Sequence, residues 1–157
     1  MSKGIYIKRT NLNNEGVEFM YDYFEESEQS FFGVGRTRFH MDNPENMTWW
    51  LAYAGDNFVG CCAAEYLEPH IWYLRSSLVP KVHRGHGIYR QLFDARMLYV
   101  LEQNPLLITV ISSPTNKEMY NKLDFKPLAD YTGQAGYNGY NELFMYKNIN
   151  PKLIENL

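Results

Sequence analysis

Between residues 81 and 90 the chain gathers groups suited to holding an anion: Lys81, Arg84 and Arg90 with His83 and His86, broken by Gly85 and Gly87, and no acid until Asp94. Glycine at both places lets the main chain turn tightly and come close to a ligand. The run Ile71 to Val79 before it reads as a strand and the run Ile88 to Gln103 after it as a helix, so the glycines fall at a helix N-terminus. There the first amides lack intrahelical partners and the dipole end is positive, which together favour a phosphate or pyrophosphate. A local basic cluster in a chain of net charge −3 points to a small anionic ligand rather than a polyanion. Gly-x-Gly before a helix also serves plain turns, so its meaning depends on the groups around it.

The elements that must position this loop follow from length and pattern. At 157 residues the chain predicts one domain, 1–157, with a substantial core. Its 45% hydrophobic and 21% charged residues are those of an ordinary globular protein, rich in tyrosine. No run approaches the ~20 apolar residues of a membrane helix, and Met1 to Ile5 leads into alternation instead of a signal-peptide core, so we expect a cytosolic protein with no membrane partner. The mildly acidic balance argues against nucleic acid. Cys61 and Cys62 are adjacent in a strand-like run and face opposite ways, which disfavours a disulfide or a metal pair and makes them packing residues; no metal is expected.

Along the chain, Ile5 to Thr10 reads as a strand, and Asn13 or Asn14 can cap a helix carrying Val17, Met20, Tyr21 and Phe24. Residues 25 to 46, broken by Gly33, Gly35 and Asn43-Pro44, read as a loop with one short helix. Thr48 to Ala54 and Phe58 to Tyr66 form a hairpin about Gly55-Asp56-Asn57, and Glu68-Pro69-His70 turns into the strand before the glycine loop. The helix presents Ile88, Leu92, Ala95 and Tyr99 on one side. Asn104-Pro105 stops it, and Leu106 to Ser112 is an apolar strand of the buried kind, giving a parallel crossover. Pro114 to Leu123 reads as a short helix, with strands at Phe125 to Leu128 and Asn141 to Lys147.

With these elements in order, the chain resembles the GNAT superfamily of acyl-CoA-dependent N-acyltransferases. Members carry Arg/Gln-x-x-Gly-x-Gly/Ala between the fourth strand and third helix, and Arg84-Gly85-His86-Gly87-Ile88-Tyr89 follows this except at Tyr89. Tyr120-Asn121-Lys122-Leu123-Asp124-Phe125 resembles a second family stretch, Tyr-x-x-x-Gly-Phe, apart from Asp124. The resemblance implies a mixed, mostly antiparallel sheet of six to seven strands, flanked by about four helices and splayed between strands 4 and 5. It implies acetyl-CoA as co-substrate: its pyrophosphate on the amides of Gly85, His86, Gly87, Ile88 and Tyr89 with Arg84 and Arg90 beside it, its pantetheine arm along Ser77, Leu78 and Val79. It further implies transfer of the acyl group to a primary amine of a small molecule or protein by direct attack, with Tyr120 protonating the departing sulfur. A homodimer is compatible with the family.

The same comparison exposes departures. The position where relatives often place a carboxylate base is Tyr73, and no Asp or Glu lies between Glu68 and Asp94. Glu65, Glu68 and His70 are the nearest substitutes in sequence, each reading more readily as a solvated strand or turn residue, so no base is named. Tyr89 must turn its side chain away from the ligand, and Asp124 must adopt a left-handed conformation that glycine would take more easily. The acceptor is expected between residues 29–47 and 130–140, where Arg36, Arg38 and His40 could clamp an anionic group and Tyr131, Tyr137 and Tyr140 stand among Gly133, Gly136 and Gly139. The alternative is a catalytically inactive GNAT-like module that binds CoA or a partner protein through the aromatic 31–50 region, including Trp49 and Trp50.

Overall fold

The computed structural model describes residues 4–13, 15–16, 44–112, 117–127 and 143–148. Seven strands form one sheet in the order β1-β2-β3-β4-β5-β7-β6: β1 Ile5–Thr10, β2 Met47–Ala54, β3 Asn57–Leu67, β4 Ile71–Leu78, β5 Leu107–Ser112, β6 Lys126–Pro127 and β7 Leu143–Asn148. Two α-helices lie among the described residues, α1 Ile88–Glu102 and α2 Lys117–Lys122, with single 3-10 turns at Pro44–Asn46 and Lys81–His83. The helix expected from Val17 to Phe24 lies outside the described residues. Its cap does not: the Asn13 side chain accepts a hydrogen bond from the Gly16 amide at 2.8 Å, which relieves an otherwise unpaired donor of the first turn.

Every neighbouring pair of strands is antiparallel except β4 and β5, which α1 joins as a parallel crossover. Alternation along the strands divides the core between the two sheet faces. Trp50, Ala52, Cys62, Ala64, Trp72 and Leu74 pack with Leu92, Phe93 and Val100 of α1, while Met47, Trp49, Leu51, Cys61, Ala63 and Leu78 form a second cluster. Cys61 and Cys62 therefore sit on opposite faces, both buried and unbridged, as their adjacency predicts. Trp49 and Trp50 are 0% and 2% exposed, so neither is available to a partner protein, while residues 31–43 of the aromatic region named with them lie outside the described residues.

The buried face of α1 also differs from the one expected. Ile88 and Leu92 face inward, but Ala95 and Tyr99 are only half-buried, and the fully buried positions continue through Phe93, Arg96 and Val100. The reason is Arg96, a charged residue that a polarity pattern assigns to the solvent side. Deep beneath the helix it finds main-chain acceptors that make its burial tolerable.

Candidate functional site

The β4–β5 ladder runs only from Ile71–Leu107 to Leu74–Val110. Past Leu74, β4 continues to Leu78 without pairing to β5, whereas β5 stays paired to β7 as far as Ser112. A bulge accompanies the separation. Cys61 pairs with Leu78 and Ala63 with Arg75, so Ser76 and Ser77 of β4 stand opposite Cys62 alone, and Ser76 takes φ 59°. The extra residue bends β4 and opens the sheet at its C-terminal end.

β4 then leads into the glycine loop. Its short 3-10 turn closes with bonds from the His83 amide to Pro80 O and the Arg84 amide to Lys81 O. Gly85 and Gly87 adopt φ 82° and 78°, a region only glycine occupies without strain, and Gly87 is the N-cap of α1. No side chain caps that helix start. A Cβ built on either glycine would meet no described atom within 4 Å, so the described residues leave the space beside both glycines open. Among the described residues no hydrogen bond consumes the amides of Gly85, His86, Gly87, Ile88 or Tyr89. A row of main-chain donors at the positive end of a fifteen-residue helix has the chemistry to hold an anion.

The basic side chains are less direct contributors than their types imply. Arg84 donates through Nε to Val79 O at 2.8 Å, bracing the loop back onto the end of β4. Arg90 is exposed and engages Asp94 at 3.1 Å, one turn along the helix. Tyr89, in place of the usual small residue, packs half-buried against the core and leaves the loop surface unobstructed. Burial pushes its phenol well above the ordinary tyrosine range, Tyr120 adds to the rise, and Arg96 opposes it.

Tyr120 stands on α2, 3% exposed, with its ring edge-on to Phe93 at 6.1 Å and to Phe125 at 5.1 Å. Its placement depends on how α2 ends. The Phe125 amide bonds Tyr120 O at 3.0 Å and the Asp124 amide bonds Asn121 O at 3.1 Å, with Asp124 at φ 65°. This double closure is the Schellman arrangement, with aspartate in the left-handed position where glycine is commonest.

Two residues of the site carried no recognised signal in the sequence. Gly60 of β3 lies under the loop, where an added Cβ would meet Leu78 O at 3.1 Å, Val79 Cγ2 at 3.2 Å and Ile88 Cγ2 at 3.3 Å. Its missing side chain lets the end of β4 and the start of α1 approach together. Arg96, 1% exposed, donates through one Nη to Ala63 O at 3.1 Å, Arg75 O at 3.3 Å and Ser77 Oγ at 3.1 Å, spanning the bulge. An arginine at one helix position has no sequence pattern that betrays burial.

Of the substitute bases, Glu65 accepts a hydrogen bond from Arg75 at 2.7 Å and lies directly across the ladder from Tyr73. Glu68 and His70 are exposed turn residues. Residues 36–40 and 131–140 lie outside the described residues. Among those described, no helix is long and apolar enough to cross a membrane.

A mixed α/β sheet opened between two parallel strands, with an uncapped glycine loop at the mouth, defines an acyl-transferase class of fold. The acetyltransferase (GNAT) domain family matches residues 11–140, and the chain belongs to that family. Solved structures agree in fold. A candidate N-acetyltransferase of Lactobacillus plantarum superposes with a TM-score of 0.71 at 16% identity, covering 93% of this chain and 99% of the other. The ribosomal-protein-S18-alanine N-acetyltransferase of Escherichia coli gives 0.68 at 11% identity, covering 92% and 94%. An acetyltransferase of Bacillus subtilis, solved in complex with CoA, gives 0.63 at 16% identity, covering 94% and 100%. No curated protein matches the sequence.

Proposed function

We propose that this protein is an acetyl-CoA-dependent N-acyltransferase acting on a primary amine by direct attack. The observation that carries the reading is the glycine loop at the open end of the sheet, with five amides that nothing in the described protein consumes and two glycines whose outer space is clear. Those amides and the dipole of α1 suit a diphosphate, and the stretch Ser77 to Val79, released from β5, suits an extended arm laid beside it as an added strand. The CoA complex of the Bacillus subtilis relative supports the same ligand class.

When bound, acetyl-CoA supplies an activated thioester carbonyl. The chain holds it rigidly, which makes the encounter with an amine effectively intramolecular and contributes several kcal/mol. A main-chain amide at Val79 or its neighbour polarises the carbonyl oxygen. Tyr120 donates its hydroxyl proton to the departing sulfur. The amine attacks as the neutral base, and the proton its nitrogen sheds on becoming an amide leaves through water and restores Tyr120, with Glu65 held in its ion pair with Arg75.

Thermal unfolding with and without acetyl-CoA tests the reading. Saturating ligand should raise the midpoint, and no rise at millimolar ligand would refute it. Where binding is seen, acetyl transfer to a panel of amines, with release of the free thiol as readout, identifies the acceptor class.

A further inference from the structure

The described core holds one unusual charge. Arg96 is 1% exposed, makes no salt bridge with a described carboxylate, and its Nε is a buried donor with no partner. A permanent guanidinium in such a place is costly unless its surroundings reward it. Three of those rewards are main-chain and hydroxyl acceptors on β3 and the β4 bulge. They place the guanidinium where β4 leaves β5. On its other side lies Phe93, whose ring is 5.7 Å from Arg96 Cζ and 6.1 Å from the Tyr120 ring.

We infer that Arg96 is an electrostatic positioning residue, whose buried charge favours the thiolate at the sulfur end of the cleft while its Nη holds the bulge that opens it. This rests on the CoA reading above. In the reaction, the carbon–sulfur bond breaks as the amine nitrogen bonds to the carbonyl carbon, and the sulfur takes the electron pair before Tyr120 protonates it. A cation within the same wall lowers the cost of that pair. The titratable groups facing the guanidinium among the described residues are Cys61 and Cys62 from β3, Tyr89 on α1 and Tyr120 on α2; the Arg75–Glu65 pair is held on the strands themselves. Burial opposes the Arg96 charge, but a guanidinium starts so far above neutrality that it stays charged throughout the working range, held by the acceptors of Ala63, Arg75 and Ser77.

The test needs no acceptor. Calorimetric affinities of CoA, which has an ionisable thiol, and acetyl-CoA, which does not, are compared from pH 6.5 to 9.5. A free thiol ionises near pH 8.5, and lowering it by about one unit in the complex makes CoA gain roughly sixfold on acetyl-CoA between pH 7 and pH 9. The gain should persist in Arg96→Lys and vanish in Arg96→Met. A flat or falling ratio in the unmodified protein, or an equal gain in Arg96→Met, overturns the inference. If Arg96→Met does not fold, the unmodified protein and Arg96→Lys decide: loss of the gain in Arg96→Lys also counts against it. Binding of neither ligand refutes the CoA reading itself, a result separable from a bound but pH-independent CoA.

Discussion

Replacing Gly87 by alanine separates strain from ligand contact in a single change. The residue sits at φ 78° as the N-cap of α1, and its new Cβ would touch nothing within 4 Å. No clash contributes, so the loss of stability is the left-handed penalty alone, roughly 1–2 kcal/mol, or a midpoint lower by about 2–4 °C for each kcal/mol. The effect on acetyl-CoA is larger, because the methyl group would occupy the open side where the diphosphate belongs. Loss of even one charge-assisted hydrogen bond, about 1.5–3 kcal/mol, weakens binding roughly tenfold to a hundredfold. At a ligand concentration near 100 times the original Kd, stabilisation of about 2.7 kcal/mol would fall to about 0.4 kcal/mol after a hundredfold loss. Differential scanning fluorimetry with and without acetyl-CoA reads both quantities, and pantetheine, which lacks the diphosphate, serves as a control that should be little affected. A variant that loses the expected stability yet keeps the full acetyl-CoA shift would show that these amides do not grip the ligand.

Other expectations follow from single contacts. Tyr120→Phe should lower turnover by roughly 10²-fold while leaving acetyl-CoA affinity unchanged, measured by thiol release and calorimetry; unaltered turnover removes its hydroxyl from the reaction. Asp124→Gly should raise stability by about 0.5–1 kcal/mol in urea unfolding, since φ 65° costs aspartate what glycine avoids. Gly60→Ala should destabilise the fold by about 1–3 kcal/mol and weaken acetyl-CoA, because its Cβ would press on Leu78 O, Val79 and Ile88, which flank the loop. Burial pushes the Cys62 thiol up to about 11 and Cys61 higher still, so the folded state retains protons that the unfolded state gives up. Stability should therefore hold below pH 9 and fall from there to pH 10 by up to about 1.4 kcal/mol per unit for each thiol, with Tyr89 adding to the loss above pH 10; below pH 10, Cys62→Ala should halve the slope in a pH series of urea midpoints.

Much of the architecture was written in local chemistry. Strand β1 matches its alternation over Ile5–Thr10, β2 and β3 turn at Gly55, and α1 starts at Ile88 after the glycines, because period, turn residues and caps act over a few neighbours. The turn of the glycine loop was legible for the same reason: the unusual φ that Gly85 and Gly87 permit is a property of the residue type. The adjacent cysteines show the limit of the same logic, since alternation placed them on opposite faces but only packing buried both.

What tertiary structure alone decided is where charge and small residues go when helix meets sheet. Nothing in the pattern of α1 singles out Arg96, yet Arg75 O and Ser77 Oγ at the bulge and Ala63 O of β3 meet it and repay its burial. Arg84 and Arg90 read as basic residues of the loop, and the fold gives each a partner within the protein, Val79 O and Asp94. Gly60 reads as an ordinary strand glycine, and its role exists only because β4 and α1 converge above it. In each case the deciding atoms lie on a distant segment, and no pattern within one element records which carbonyl, carboxylate or methyl group folding will bring against it.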